Sequence, residues 1–183
     1  LFPLFAIFAG HGLIRACDAV GRPRVAALLA GLVVAVATWA SAAEVSIFVR
    51  ENTRDEAARW IQENIPAGDT VGLVYTPVAF HTPPIDAAKY NVVVTDRPEL
   101  FDQVRPEWFI LTEYWMSNYR RLGKRTDDGE VIDRVANGGY TLVKTVRRNP
   151  EFLGIERQRP VIVPQDWLHG APTIYFYRRN SEN

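Results

Sequence analysis

A run of 19 residues without a charge constrains this chain more than any other feature of its sequence. The run, Val25–Ala43, reads VAALLAGLVVAVATWASAA. As a helix that rises about 1.5 Å per residue it extends roughly 28 Å, close to the ~30 Å hydrocarbon core of a bilayer. A helix on the surface of a water-soluble protein needs a polar side, and this run has none. We therefore predict a transmembrane helix, with a buried helix of a soluble protein as the alternative.

The flanks of this run support the same interpretation. Val45–Val49, which is apolar except for Ser46, can extend the helix, with Glu44 near the interface and Trp39 at an interfacial or helix-packing position. A second apolar run, Leu1–Ile14, lies before it and is too short to span a bilayer alone. Because the chain starts with Leu and not with Met, we expect a fragment whose first residues are the end of a preceding membrane helix.

Arginines predict the side of the membrane on which each part lies. Arg15, Arg22 and Arg24 belong to the short connection between the apolar runs, which marks this connection as cytoplasmic by the positive-inside rule. Arginines also follow Val49, but they belong to a long folded region, and such regions cross membranes largely regardless of charge. We predict an integral protein of the plasma or inner membrane, with residues 1–49 as its membrane segment and residues 50–183 as an extracytoplasmic soluble domain.

Residues 50–183 have the composition of an ordinary soluble domain. Residues 1–49 hold three basic and two acidic side chains, and the other 18 basic and 19 acidic residues follow them. This balance disfavours a general nucleic-acid binder, and we expect no nucleic-acid partner. The single cysteine of the chain excludes an internal disulfide framework and a Cys-rich zinc site. About 134 residues suffice for one domain with its own hydrophobic core.

Capping signals and apolar periodicity predict three helices after residue 50. Thr53 begins a TRDE sequence with the pattern of a capping box, in which its hydroxyl accepts from the Glu56 backbone N–H. Apolar residues at helical spacing then extend to about Asn64. The other two predicted helices are Pro98–Val104, with proline in its first turn, and Asp128–Asn137, which two glycines end.

Five short segments rich in β-branched and aromatic residues predict strands. They are Thr70–Tyr75, Asn91–Thr95, Trp108–Thr112, Tyr140–Val146 and Thr173–Tyr177. The first three are almost entirely apolar, which is typical of parallel strands that are covered on both faces. The last two alternate, and we expect them to pair as an antiparallel edge. Residues 148–172 form an ordered excursion or a flexible loop. The prediction is a small three-layer α/β domain with a mixed, mainly parallel sheet of about five strands.

The sequence lacks the motifs of common cofactors, and we expect none. No predicted strand leads into GxGxxG or GxxxxGK[ST], and no GxSxG is present. His81 and His169 lack a second histidine at metal-ligand spacing, so a metal site is disfavoured. Asp127 and Asp128 precede a predicted helix, where acidic residues commonly stabilise the N-terminus, so we favour capping over catalysis for this pair.

The densest group of ligand-binding residue types follows the third predicted strand, within the sequence PEWFILTEYWMSNYRRL. Ligands of open α/β sheets bind at the carboxyl ends of strands. Tyrosine, tryptophan and arginine together can face a sugar, a lipid headgroup or the membrane interface. The alternative is that these aromatic residues only pack the domain onto its neighbouring helices. The candidate substrate or interface residues are Glu113, Tyr114, Tyr119 and Arg120.

The order of three segments resembles a known family. A membrane helix leads into TRDEAARWIQENIPAGDTV at residues 53–71, PEWFILTEYWMSNYRR follows at residues 106–121, and TIYFYRR lies at residues 173–179. Over about residues 1–180 this order is similar to the C-terminal end of polytopic glycosyltransferases related to dolichyl-phosphate-mannose protein mannosyltransferases and their bacterial relatives.

The resemblance implies an enzyme of the C-type glycosyltransferase superfold, which transfers a sugar from a polyprenyl-phosphate donor to an acceptor outside the cytoplasm. The essential acidic residues of this family lie in a first extracytoplasmic loop that is not in this chain, so no catalytic residue is carried over. The implied partners are the bilayer, a lipid-linked sugar, a glycan, lipid or protein acceptor, and further membrane helices of the parent chain.

Two other functions stay open beside the one that the resemblance implies. The chain can be a membrane-anchored extracytoplasmic binding or assembly module with no enzymatic activity. A cytosolic nucleotide-binding α/β enzyme is disfavoured, because the sequence has no glycine-rich phosphate loop and carries an uncharged run of membrane length.

Overall fold

In a computed structural model, which describes residues 2–158 and 170–180, two N-terminal helices precede an α/β domain. The helices are α1 (Phe2–Val20), α2 (Pro23–Val49), α3 (Thr53–Asn64), α4 (Pro98–Val104), α5 (Glu113–Leu122) and α6 (Asp127–Asn137). The strands are β1 (Thr70–Leu73), β2 (Asn91–Val94), β3 (Trp108–Thr112), β4 (Tyr140–Val146), β5 (Glu151–Phe152), β6 (Ile155–Glu156) and β7 (Ile174–Arg179). A short 3-10 turn at Gly123–Arg125 joins α5 to α6.

Helix α2 has the length and composition of a membrane-spanning helix. It covers 27 residues and includes both the predicted uncharged run and its extension to Val49. Its apolar side chains face outward, since Leu28, Leu32 and Val36 are 74%, 60% and 57% exposed. Within the described ranges it is the one helix long and apolar enough to cross a membrane. This exposure does not fit the alternative of a helix buried inside a water-soluble fold.

The connection between the two apolar runs is shorter than predicted. Helix α1 continues through Arg15 to Val20, so Gly21 and Arg22 alone separate it from α2. Gly21 has a φ of 62°, in the left-handed region that commonly ends helices, and Pro23 then begins α2. Arginine favours helices, so the basic residues do not interrupt α1. The cytoplasmic location of this connection stays a prediction.

Helix α3 has the predicted range, but its N-cap is one residue earlier than predicted. The Asn52 side chain accepts a hydrogen bond from the Arg54 backbone N–H at 2.9 Å. Thr53 is fully buried, and its hydroxyl donates to the Pro172 carbonyl at 2.8 Å. The predicted capping box is therefore wrong, because a tertiary acceptor occupies the threonine hydroxyl. The same bond fastens α3 to the segment that leads into β7.

The five-stranded sheet is mixed and has the order β2-β1-β3-β7-β4. Strand β1 pairs in parallel with β2 and β3, whereas β7 pairs antiparallel with β3 and β4. The predicted antiparallel pairing of the last two strands is thus confirmed. The two kinds of pairing are equal in number, so a mainly parallel sheet is not confirmed. The reason is that β7 enters between β3 and β4 and reverses the strand direction on both sides.

Side chains of the sheet alternate between two buried clusters. Trp108 and Ile110 of β3 pack in one cluster with Ile61 of α3. Phe109 and Leu111 of the same strand pack in the other cluster, together with apolar residues of α4 and α6. All five residues of β3 are buried, as its uninterrupted apolar sequence predicts. Strand β3 therefore gives side chains to both clusters, and the helices that cover the sheet belong to one cluster or the other.

The long segment after β4 contains a hairpin that the sequence did not predict. Strands β5 and β6 pair antiparallel, Glu151 with Glu156 and Phe152 with Ile155. This β5–β6 hairpin contacts α2 through β5. The first half of the segment is therefore an ordered excursion that packs on the membrane-length helix. Residues 159–169, which include His169, lie outside the described residues.

The close contact between β1 and β3 generates a stability prediction at Gly72. A Cβ atom there would come within 2.5 Å of Pro106 Cγ and 2.6 Å of Phe109 Cδ2. We expect Gly72→Ala to lower the free energy of unfolding by about 1–3 kcal/mol, because it overpacks the core. The control is Gly139→Ala, where a Cβ meets no atom within 4 Å. Urea unfolding in detergent, followed by tryptophan fluorescence, measures both variants, and equal losses would contradict the packing explanation.

Candidate ligand-binding site

Helix α5 begins directly where β3 ends, so the predicted cluster lies on a helix. Glu113 is the first residue of α5, and its backbone N–H donates to the Thr173 carbonyl at 2.7 Å. Successive side chains of a helix point in different directions. The four candidate residues therefore enter separate networks, although they are close in sequence.

The structure brings Glu113 and Arg120 together. The Glu113 side chain is 5% exposed, and its carboxylate accepts hydrogen bonds from the Arg120 guanidinium and the Tyr175 hydroxyl. Residues seven apart lie on the same face of a helix, which explains why the two α5 residues meet. Burial, and then the hydrogen bond to Glu113, raises the pKa of Tyr175 to about 12. These internal contacts fasten α5 to β7.

Tyr119 belongs to a different network, between α5 and α6. Its hydroxyl donates to Asp133 Oδ1 at 2.6 Å, and Lys124 Nζ lies 2.6 Å from Asp133 Oδ2. Asn137 Nδ2 also donates to Asp133 Oδ1, at 2.9 Å. The hydrogen bonds from Lys124, Tyr119 and Asn137 lower the pKa of Asp133 to about 2. This network is what the packing interpretation predicts for Tyr119.

Tyr114 joins an aromatic cluster at the carboxyl ends of β1 and β3. Its ring lies over His81, which is 6% exposed, with the ring centroids 4.4 Å apart. Trp115 contacts Tyr114 at 5.1 Å and Tyr75 at 5.6 Å between ring centroids. Since Tyr75 follows β1 and Trp115 follows β3, the cluster links the two neighbouring parallel strands just beyond their ends.

A pocket of about 560 Å³ lies beside this aromatic cluster. Residues that follow β1, β2 and β3 line it together with the first residues of α6. The lining residues are Tyr75, Asp96, Arg97, Trp115, Thr126, Asp127 and Asp128. The pocket lies at the carboxyl ends of the three parallel strands of the mixed sheet, where the chain crosses from one side of β1 to the other, and open α/β sheets commonly bind ligands at such a position. Trp115 lines the pocket, whereas the four predicted candidates are absent from its lining.

Sequence reasoning missed part of this pocket. It did not single out Asp96 and Arg97, although they come directly after a predicted strand, which was the available signal. It assigned Asp127 and Asp128 to helix capping, and both do lie in the first turn of α6, whose N-cap is Thr126. Their second role as pocket lining depends on where α6 packs, and no local pattern shows that.

The lining residues suit a neutral, hydroxyl-rich ligand. The rings of Tyr75 and Trp115 can cover the C–H face of a sugar, and carboxylates can accept hydrogen bonds from its hydroxyls. Arg97 Nε lies 3.7 Å from Asp96 Oδ1, so a neighbouring carboxylate offsets its charge. With three carboxylates and one guanidinium, the pocket disfavours an anion such as phosphate. Across the described residues, no group of three or more His, Cys, Asp or Glu side chains is placed to hold a metal ion.

Comparison with known proteins assigns this chain to no family. No protein-family model, no curated protein and no solved structure matches the chain. The resemblance to polyprenyl-phosphate-dependent glycosyltransferases therefore stays a hypothesis that rests on the sequence segments that suggested it.

The network around Asp133 generates a pH prediction. The folded protein holds the Asp133 pKa at about 2, below its ordinary value of 3.8. The stabilisation is therefore complete above about pH 4 and is lost as the pH falls toward about 2. We expect Asp133→Asn to unfold at lower urea than the wild type at neutral pH, and the difference to disappear over that acidic range.

Tyr119→Phe is the graded control for this prediction, because it removes one of the three donors and should weaken the same acid dependence in part. Urea midpoints at a series of pH values measure all three proteins. Identical pH profiles for the wild type and Asp133→Asn would show that the network does not contribute to stability.

Proposed function

We propose that this chain is the C-terminal membrane segment and extracytoplasmic domain of an integral-membrane glycosyltransferase that takes its sugar from a polyprenyl-phosphate donor. In this proposal the α/β domain is an accessory unit that binds the sugar acceptor. The observation that carries the proposal is the pocket, where Trp115 and Tyr75 lie beside three carboxylates in a domain that follows a membrane-length helix. The sequence resemblance supports the class of reaction.

The charge of the pocket favours the acceptor over the lipid-linked donor. A polyprenyl-phosphate donor carries a phosphate next to the transferred sugar, and a site for it needs unpaired cations or backbone N–H groups. Asp96, Asp127 and Asp128 would repel that phosphate, while Arg97 alone among the lining residues would attract it. A glycan or glycosylated acceptor brings hydroxyl donors that match the carboxylates. The pocket thus suits the neutral partner of the transfer.

The buried carboxylate at the start of α5 is not free to act as a catalytic base. A general base must reach the hydroxyl from which it removes a proton. The carboxylate of Glu113, which is the buried acidic residue among the described residues of the domain, already accepts hydrogen bonds from Arg120 and Tyr175. In this proposal the acidic loop of the parent protein performs the transfer. The domain contributes by holding the acceptor near the membrane surface, where proximity lowers the barrier.

A second function, a membrane-anchored binding module without enzymatic activity, is favoured by the same hydrogen bonds that occupy the Glu113 carboxylate.

An assay of sugar transfer distinguishes the glycosyltransferase from the binding module. Membranes that contain the full-length parent protein are incubated with a labelled polyprenyl-phosphate sugar and a glycan acceptor, and membranes without the protein are the control. We expect transfer that depends on the protein. Glycan binding without any transfer would reject the enzyme and favour the binding module.

The pocket itself is tested with a matched pair of variants. Asp128 and Asp55 are both acidic residues in the first turn of a helix, but Asp128 lines the pocket whereas Asp55 is exposed on α3. We expect Asp128→Asn to weaken glycan binding about tenfold, because it replaces a charge-assisted hydrogen bond with a neutral one. Asp55→Asn should leave binding unchanged.

Binding of these variants and of Trp115→Ala is measured by isothermal titration calorimetry with an oligosaccharide, because this readout does not depend on the fluorescence of Trp115, which lies in the pocket. Equal affinities for the wild type and Asp128→Asn, with Trp115→Ala also unchanged, would exclude this pocket as the acceptor site.

A further inference from the structure

The base of the β5–β6 hairpin is fastened to the polar end of α2. Arg157 forms an ion pair with Glu44 at 2.8 Å, and Glu151 forms one with Arg50 at 2.6 Å. The Glu151 backbone N–H also donates to Ser46 Oγ at 3.1 Å. Glu44, Ser46 and Arg50 all follow the uncharged run of α2. The charged part of the hairpin therefore lies where α2 leaves the apolar region.

The hairpin extends from this base back along α2, toward the uncharged run. Near the tip, the Phe152 carbonyl accepts a hydrogen bond from Trp39 Nε1 at 3.3 Å. Trp39 is four residues before Ala43, the last residue of the run, and a helix rises about 6 Å over that distance. The tip thus reaches the level of Trp39, for which the sequence predicts an interfacial or helix-packing position.

The tip of the hairpin is apolar and exposed. Phe152, Leu153 and Ile155 are 38%, 81% and 59% exposed, and Gly154 is the remaining residue of the turn. Val36, about one helical turn before Trp39 on α2, is also apolar and 57% exposed. Because Trp39 donates a hydrogen bond to Phe152, lipid around this part of α2 would also meet the tip.

The backbone conformation of the turn is unfavourable for the leucine at the tip. Leu153 has a φ of 55° and Gly154 a φ of 78°. A two-residue hairpin turn with both φ values positive favours Asn-Gly or Asp-Gly, because a leucine side chain is strained in this region. Leucine at this position is unfavourable for the backbone and for contact with water. An apolar partner that contacts the side chain would remove the cost of its exposure to water, and strained backbone is commonly retained where a residue makes such a functional contact.

We propose that the hairpin tip, Phe152–Ile155, is a second membrane contact, which inserts into the interfacial region of the leaflet where α2 leaves the bilayer. The partner is the lipid surface itself. The inference rests on the part of the proposed function in which α2 spans the membrane. A domain that follows directly from one membrane helix, as this domain follows α2, can tilt and rotate about that connection. A second contact, fastened to α2 by two ion pairs and two hydrogen bonds, holds the domain in one orientation.

A fluorescent probe at the tip tests this inference in the full chain. The chain, with its single cysteine removed by Cys17→Ala, is reconstituted in phosphatidylcholine vesicles, and Leu153→Cys is labelled with an environment-sensitive dye. Leu122→Cys is the matched control, because Leu122 is also an exposed leucine. It is the last residue of α5, which packs against one buried cluster of the sheet, whereas α3, the helix that follows α2, packs in the other. Leu32→Cys, in the middle of α2, reports on the membrane span itself.

We expect the dye at residue 153 to shift its emission to shorter wavelength on reconstitution and to lose fluorescence to a lipid-borne spin label. The dye at residue 122 should lose fluorescence to aqueous iodide instead. If the spin label quenches residue 32 but not residue 153, the hairpin contact is overturned and the membrane span stands. If the spin label quenches neither residue 32 nor residue 153, the membrane span of α2 and the hairpin contact are both overturned. A shift at residue 153 that depends on protein density and not on the spin label identifies a second copy as the partner, which also overturns the inference.

A second variant removes the apolar side chain without threatening the turn. Leu153→Asn suits the positive φ at this position, so the hairpin should fold at least as well. With the dye placed at Ile155→Cys, we expect Leu153→Asn to reduce quenching by the lipid-borne label relative to the same probe beside Leu153. Unchanged quenching would show that the leucine is not inserted.

Discussion

Strand β7 holds the α/β domain together from the middle of its sheet. It pairs with β3 on one side and with β4 on the other, so neither strand has a free edge there. The segment just before β7 accepts hydrogen bonds from Thr53 of α3 and from the backbone N–H of Glu113 in α5. Tyr175 of β7 also donates to the Glu113 carboxylate. The candidate pocket depends on these contacts, because α5 carries Trp115 into it.

The elements that the sequence predicted correctly are those whose own residues determine them. Strand β3 is apolar throughout and is buried throughout, and α2 is uncharged over the length of a bilayer. Helix α5 was missed because its N-cap, Thr112, makes no capping hydrogen bond with its side chain. A carbonyl about 60 residues later in the chain fixes the start of α5, and contacts at such separation leave no local pattern.

The candidate site was half predictable for the same reason. The rule that ligands bind at carboxyl ends of strands points to the edge of the sheet where the candidate pocket lies, and Trp115 of the predicted cluster lines this pocket. The rule does not say which side chains of a helix face outward. Glu113 and Arg120 are engaged with Tyr175, and Tyr119 is engaged with Asp133. The charged residues that line the pocket instead follow β2 (Asp96 and Arg97) or begin α6 (Asp127 and Asp128). The positions of these elements depend on the packing of the whole domain.

The central position of β7 has a consequence for how the chain is made. Strands β3 and β4 are both synthesised before the strand that must enter between them. Until β7 arrives, each presents a row of unsatisfied backbone groups that any other extended segment can pair with. Ribosomal synthesis therefore delivers the central strand after both of the strands that it pairs with. Incorrect strand pairing is therefore most probable late in synthesis, when β3 and β4 have both been made and the position of β7 between them is still empty.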